Sequence, residues 1–151
     1  MKPSISVITL AVDDLERAYR FYHEGLGLAS EGIVGSEYEH GAVAFFDLQA
    51  GLKLALWPRA SLAADSGLAL DRTLVSPLAS PSIPAASDTL IAHNVASAGE
   101  VDTLMAQAVA AGATTVKSAQ TTFWGGYAAY FMDPDRHLWE VVWNPKWALP
   151  A

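Results

Sequence analysis

The sequence predicts an α+β fold in which one small unit is used twice. Two matches carry that expectation. Residues 41–57, "GAVAFFDLQAGLKLALW", resemble residues 126–142, "GYAAYFMDPDRHLWEVV". Both run from a glycine through a small and aromatic strand and a polar turn into a second apolar strand. One offset of 85 carries Phe46 onto Phe131. Upstream, "VITLAV" at 7–12 matches "LIAHNV" at 90–95 with an offset of 83, and a helical pattern follows each. Each half therefore reads strand, helix, then two or three strands, and each is too small to bury a sheet face alone.

The elements follow in chain order. Residues 7–12 alternate as a strand, with Ile8, Leu10 and Val12 on the face that packs under a helix. Asp13 or Asp14 is the expected N-cap of the first helix, which carries Leu15, Ala18, Tyr19 and Tyr22 on one side and stops near Gly25. The join of about thirty residues, rich in Ala, Ser, Leu and Pro, predicts a short helix near 60–65 ended by Gly67. Pro77, Pro81 and Pro84 then favour an ordered crossover or lid over a strand. The second helix begins between Ser97 and Gly99. It aligns Val101, Leu104, Met105 and Ala108, places Glu100 and Asp102 in its positive first turn, and ends at Gly112. This gives one domain over 1–151: module one at 4–58, a linker at 59–86 and module two at 87–145.

Composition narrows the function. Of 151 residues, 52% are hydrophobic and 17% charged, as expected of a globular chain. The net charge of −7 argues against nucleic acid and anionic membrane surfaces as partners. With no cysteine there is no disulfide, thiolate metal site or thiol nucleophile. The N-terminal apolar run is broken at Asp13 and lacks a cleavage pattern, and no window approaches the roughly 20 apolar residues of a membrane span. A cytoplasmic location is the expectation.

The candidate site comes from alternation. In the last strand, "HLWEVVW", Glu140 shares a face with Leu138 and Val142, although a carboxylate among apolar residues costs several kcal/mol unless compensated. The repeat gives Glu140 a twin at Ala55, flanked by Lys53 and Trp57. Val7 and Thr9 in the first strand, and Leu90, Ala92 and Asn94 in its counterpart, look the same way. If the modules pair edge to edge, these residues line one concave pocket: small side chains for room, Trp57 as a wall, Glu140 for charge. Glu140 has two readings. It is a ligand-facing carboxylate or general base, or else a remnant paired with Lys53 or bonded to Thr9, Asn94 or Tyr130.

The stretches "VITLAVDDLERAYRFYHEGLGL", "NVASAGEVDTLMAQAVAAGA" and "GGYAAYFMDPDRHLWEVVWNP" resemble the vicinal oxygen chelate superfamily, which includes glyoxalases, extradiol dioxygenases, and fosfomycin- and bleomycin-resistance proteins. The resemblance implies two βαβββ modules forming a half-barrel sheet around a concave pocket. In metal-dependent members a His in the first strand of each module and a carboxylate in the last strand hold the ion. Those positions fall here on Val7, Leu90, Ala55 and Glu140, so only Glu140 remains. The resemblance also places Arg136 where the family's turn has glycine. It marks Thr9 and Tyr130 as pocket hydrogen-bonders and Trp124 in "FWGGY" as a possible wall.

The remaining candidates are weighed against packing. Trp57 and Trp124 are read as core rings before ligand walls, and Tyr130, Thr9 and Asn94 as pocket polarity or ordinary strand bonding. His93 falls beneath a helix and is expected in the core. His137 is expected to face solvent, and His23 to complement a helix C-terminus. "EYEH" at 37–40 is expected at a hairpin edge, and "DPDR" as a turn. The sequence thus points to a binder of a small organic molecule, without cofactor or divalent metal, forming a homodimer. The alternative is a glyoxalase- or dioxygenase-like enzyme, a lyase, isomerase or oxidoreductase, using Glu140 as base or metal ligand. A domain that works only through its homodimer is a third reading.

Overall fold

The structure is a computed structural model that describes residues 3–49, 51–70 and 89–147. The expected duplication is present. The chain divides between Thr73 and Leu74 into two compact units, each with one four-stranded sheet. The part of the linker holding Pro77, Pro81 and Pro84, with its expected crossover or lid, lies outside the described residues.

The first unit begins with β1 (Val7–Val12) and α1 (Leu15–Arg20), which widens into a π turn (Phe21–Gly25). Then come β2 (Ile33–Val34), β3 (Val43–Asp47), β4 (Lys53–Pro58) and α2 (Arg59–Ser66). The sheet order is β1-β4-β3-β2, with β1 parallel to β4 and the other pairs antiparallel. Asp14 caps α1 by accepting from the Arg17 N–H at 3.0 Å. The cross-sheet rows Ile8–Leu54–Phe46 and Leu10–Leu56–Ala44 form the helix-side face. Onto that face pack buried Ala18, Phe21 and Tyr22, with the Tyr22 and Phe46 rings 6.0 Å apart. The expected linker helix is α2, and it ends at Gly67 with φ 70°.

The second unit runs β5 (Leu90–Val95), α3 (Ala98–Ala111), β6 (Thr114–Thr121), β7 (Tyr127–Met132) and β8 (Leu138–Trp143), in the order β5-β8-β7-β6. Ser97 and Glu100 form a capping box at α3. The Ser97 hydroxyl accepts from the Glu100 N–H at 3.2 Å, and the Glu100 carboxylate from the Ala96 N–H at 3.0 Å. Val101, Met105 and Ala108 are buried against the sheet, where Phe131 and Trp139 stack 6.2 Å apart.

The repeat extends to hydrogen-bond register. Phe45 pairs with Ala55 and Phe46 with Leu54, and at the same offset Tyr130 pairs with Glu140 and Phe131 with Trp139. Arg136 adopts φ 66°, the left-handed geometry its turn demands.

Three local expectations are corrected. His93 lies in register with buried Val141, on the helix side, yet it is exposed. It stands on β5, the edge strand, while α3 lies chiefly over the other three. His137 does not face solvent. Its side chain is 13% exposed and its Nδ1 lies 2.8 Å from Asp133 Oδ2. "EYEH" forms turns between β2 and β3 rather than strand edge, with His40 at φ 60°.

Candidate functional site

Two constellations emerge, one on each sheet. In the first unit the face opposite α1 follows from the strand register. Thr9, Ala55 and Phe45 form one row, and Ala11 and Trp57 lie in the next. Thr9, Gly41, Val43, Phe45, Ala55 and Trp57 line a recess of about 270 Å³. Ala55 is 2% exposed, and its methyl leaves space that a longer side chain would fill. Trp57 is oriented by its indole N–H, which donates to the His40 carbonyl at 3.1 Å. That contact ties the wall to the β2–β3 loop. Gly35 and Gly41 close the loop, because a Cβ on Gly41 would sit 2.6 Å from the Gly35 carbonyl and 2.8 Å from Tyr38 Cβ. Of the lining side chains, the Thr9 hydroxyl is the one with polarity free to meet a ligand, since the Trp57 N–H is already engaged.

Lys53 shares this face at its end, and its ammonium pairs with Asp47, its cross-strand neighbour. It is therefore an ion-paired strand residue of the first sheet.

In the second unit a row runs straight across four strands: Ala92, Glu140, Tyr130 and Lys117. The Tyr130 hydroxyl donates to Glu140 Oε1 at 2.7 Å, so the carboxylate in the apolar strand is compensated by the residue directly opposite it. The bond holds the proton on the phenol. Tyr130 titrates above the ordinary tyrosine range, first because of the hydrogen bond to Glu140, then through burial and the carboxylate's charge. Lys117 Nζ lies 5.6 Å from the centre of the Tyr130 ring. Asn94 is one row along, opposite Val142. Trp124 lies in the β6–β7 turn, with its ring against Gly126, and is not part of the first unit's recess lining.

The structure thus groups Thr9, Ala55 and Trp57 on one sheet and Tyr130 and Glu140 on the other. Sequence reasoning missed Val43, Phe45, Gly41 and Lys117. Phe45 was within reach, because the offset that pairs Glu140 with Ala55 also carries Tyr130 onto Phe45. Lys117 was not, because the register slips between Thr115 and Lys117 and breaks simple alternation.

A sequence profile of the Glyoxalase/Bleomycin resistance protein/Dioxygenase superfamily matches residues 4–141. The chain belongs to this superfamily. Among similar solved structures is a glyoxalase-related enzyme from Fulvimarina pelagi, with 33% identity over 99% of this chain and 94% of that one and a TM-score of 0.79. Two more distant structures share the fold. A glyoxalase/bleomycin resistance protein/dioxygenase family enzyme from Burkholderia phytofirmans PsJN is 20% identical over 91% of this chain and 96% of its own, with a TM-score of 0.69. Lactoylglutathione lyase from Agrobacterium tumefaciens is 21% identical over 99% of this chain and 100% of its own, with a TM-score of 0.63. No curated protein gives a significant match.

Superfamily membership raises the question of a divalent ion, and the donor chemistry does not fit one. An ion of this kind takes about four N or O ligands. Val7, Ala55 and Leu90 offer none, and one oxygen of Glu140 already accepts a hydrogen bond from the Tyr130 hydroxyl. Among the described residues no group of three or more His, Asp or Glu is placed to hold a metal. Nor is any described helix long and apolar enough to cross a membrane.

Proposed function

We propose that this protein binds a small, largely apolar organic molecule, without a metal, in the recess on the first module's sheet. The observation that carries the reading is Ala55: the position of a family carboxylate has become the small floor of a recess walled by Phe45 and Trp57. Ligand sites combine apolar walls with a few polar groups, and here the Thr9 hydroxyl supplies the polar contact. The volume lies near the lower end for such sites, about 300 Å³, which favours a compact ligand. Large apolar side chains left exposed, such as Phe123 and Trp147, suit a homodimer.

A thermal-shift screen of compact aromatic and aliphatic compounds tests this. A true ligand at about 100 times its Kd adds about 2.7 kcal/mol and raises Tm in proportion. The same compounds leave Ala55→Phe unmoved, because the new ring fills the recess. A screen without stabilisation, or stabilisation that survives Ala55→Phe, refutes the reading.

The Tyr130–Glu140 bond supports a second reading, a lyase, isomerase or oxidoreductase that uses Glu140 as base or metal ligand. The 33% identical relative is named a glyoxalase-related enzyme. Turnover that disappears in Glu140→Gln with the fold intact favours that reading over binding alone.

A further inference from the structure

The recess leaves the second module's polar row unexplained. Glu140 Oε1 is satisfied by Tyr130, and Oε2 makes no hydrogen bond to the described residues. Beside it stands exposed Ala92, whose methyl leaves the carboxylate's flank open. On the other flank is the Tyr130 ring. Its hydroxyl is fixed on a carboxylate, which makes the ring richer in electron density and a better seat for a cation.

That seat holds an internal cation. Lys117 is exposed, and in a chain with 16 acidic residues it forms no ion pair among the described residues. Its Nζ lies instead over the Tyr130 face, within the roughly 6 Å reach of a cation–π contact. A lysine stem is long and mobile, and ordering it costs rotamer entropy. An external cation of similar head group can therefore take the same ring face.

We infer that the Ala92–Glu140–Tyr130–Lys117 row is a subsite for an organic ammonium group, in which Lys117 is the resident cation that a ligand displaces. The incoming ammonium donates to Glu140 Oε2 and lies against the Tyr130 ring, while Lys117 swings into solvent. An uncharged ligand gains neither contact. The subsite is argued from the second module's residues alone, and its test does not use the recess.

The test uses the full chain, labelled with ¹⁵N, and n-butylammonium as a mimic of the lysine head, with 1-butanol as its uncharged counterpart. Butylammonium is expected to shift amide signals in β6, β7 and β8, with millimolar affinity. Lys117→Ala and Lys117→Gln remove the competitor, so each binds butylammonium about two- to fivefold tighter, the equivalent of one exposed cation–π contact. Glu140→Gln, whose amide oxygen still accepts from Tyr130, loses the effect, and 1-butanol produces none in any form. Equal affinities in the wild type and both Lys117 variants overturn the inference. So do equal shifts from 1-butanol, or no shift in Lys117→Gln at saturating amine.

Discussion

At the scale of single residues, the central fact is that Glu140 does not stand alone in its apolar strand. Tyr130 meets it from the neighbouring strand, and the register of β7 and β8 puts them directly opposite. The bond favours the protonated phenol, so it stabilises the fold fully below the ordinary tyrosine pKa of about 10. That contribution is lost as pH rises through the elevated value. Tyr127 is also raised, by burial first and then by its hydrogen bond to Asp102. Absorbance titration is therefore expected to show Tyr130 and Tyr127 ionising late. Tyr130→Phe removes one of these, and Glu140→Gln returns it toward the ordinary range. A profile unchanged in both variants contradicts the bond. A second residue-scale prediction concerns Gly126. A Cβ there would fall on the Trp124 ring and 2.7 Å from the Trp143 carbonyl. Gly126→Ala should cost about 1–3 kcal/mol in urea unfolding, and a neutral result would mean that both the Trp124 ring and the β8 backbone at Trp143 give way freely.

At the scale of elements, the β7–β8 turn is organised by one buried carboxylate. Asp133 accepts from the Asp135 and His137 N–H groups at 2.9 and 2.8 Å and lies 2.8 Å from His137 Nδ1. Asp133→Ala strands these donors, and a loss of about 2–3 kcal/mol is expected in urea melts. "DPDR" was legible as a turn because its residue types favour turns. The clamp onto His137 was not, because a hydrogen bond four residues along has no compositional mark. Strand periodicity and the caps of α3 were legible for the opposite reason: alternation, Ser97 with Glu100, and Gly112 are local signals. The exposure of His93 depends on which strand is the edge, a property of sheet order rather than of the strand's own residues. The π turn at Phe21–Gly25 depends on tertiary fit, with the Leu26 N–H donating to the Phe21 carbonyl and the His23 ring N–H to the Leu28 carbonyl. In the candidate site, Thr9, Ala55, Trp57 and Glu140 followed from alternation and the repeat. Lys117 sat behind a bulge that alternation does not register.

At the scale of the whole molecule, one duplicated unit has produced two chemically different faces. Phe45, Ala55 and Thr9 on the first sheet answer to Tyr130, Glu140 and Ala92 on the second at the repeat offsets. One face has become an apolar recess, and the other keeps a single carboxylate held by a phenol. This divergence bears on metal binding, because of the four positions that the resemblance assigns to metal ligands only Glu140 retains a donor. Protein purified untagged and without chelator is therefore expected to carry far less than one equivalent of Ni, Zn, Mn or Fe by mass spectrometry. Adding each ion should leave Tm in place, whereas a bound ion at about 100 times its Kd would add about 2.7 kcal/mol. Glu140→Gln serves as the control. Should the wild type hold a near-stoichiometric ion that this variant loses, Glu140 is a metal ligand after all. The enzyme reading then takes precedence, and the Tyr130 bond becomes the contact that orients that ligand.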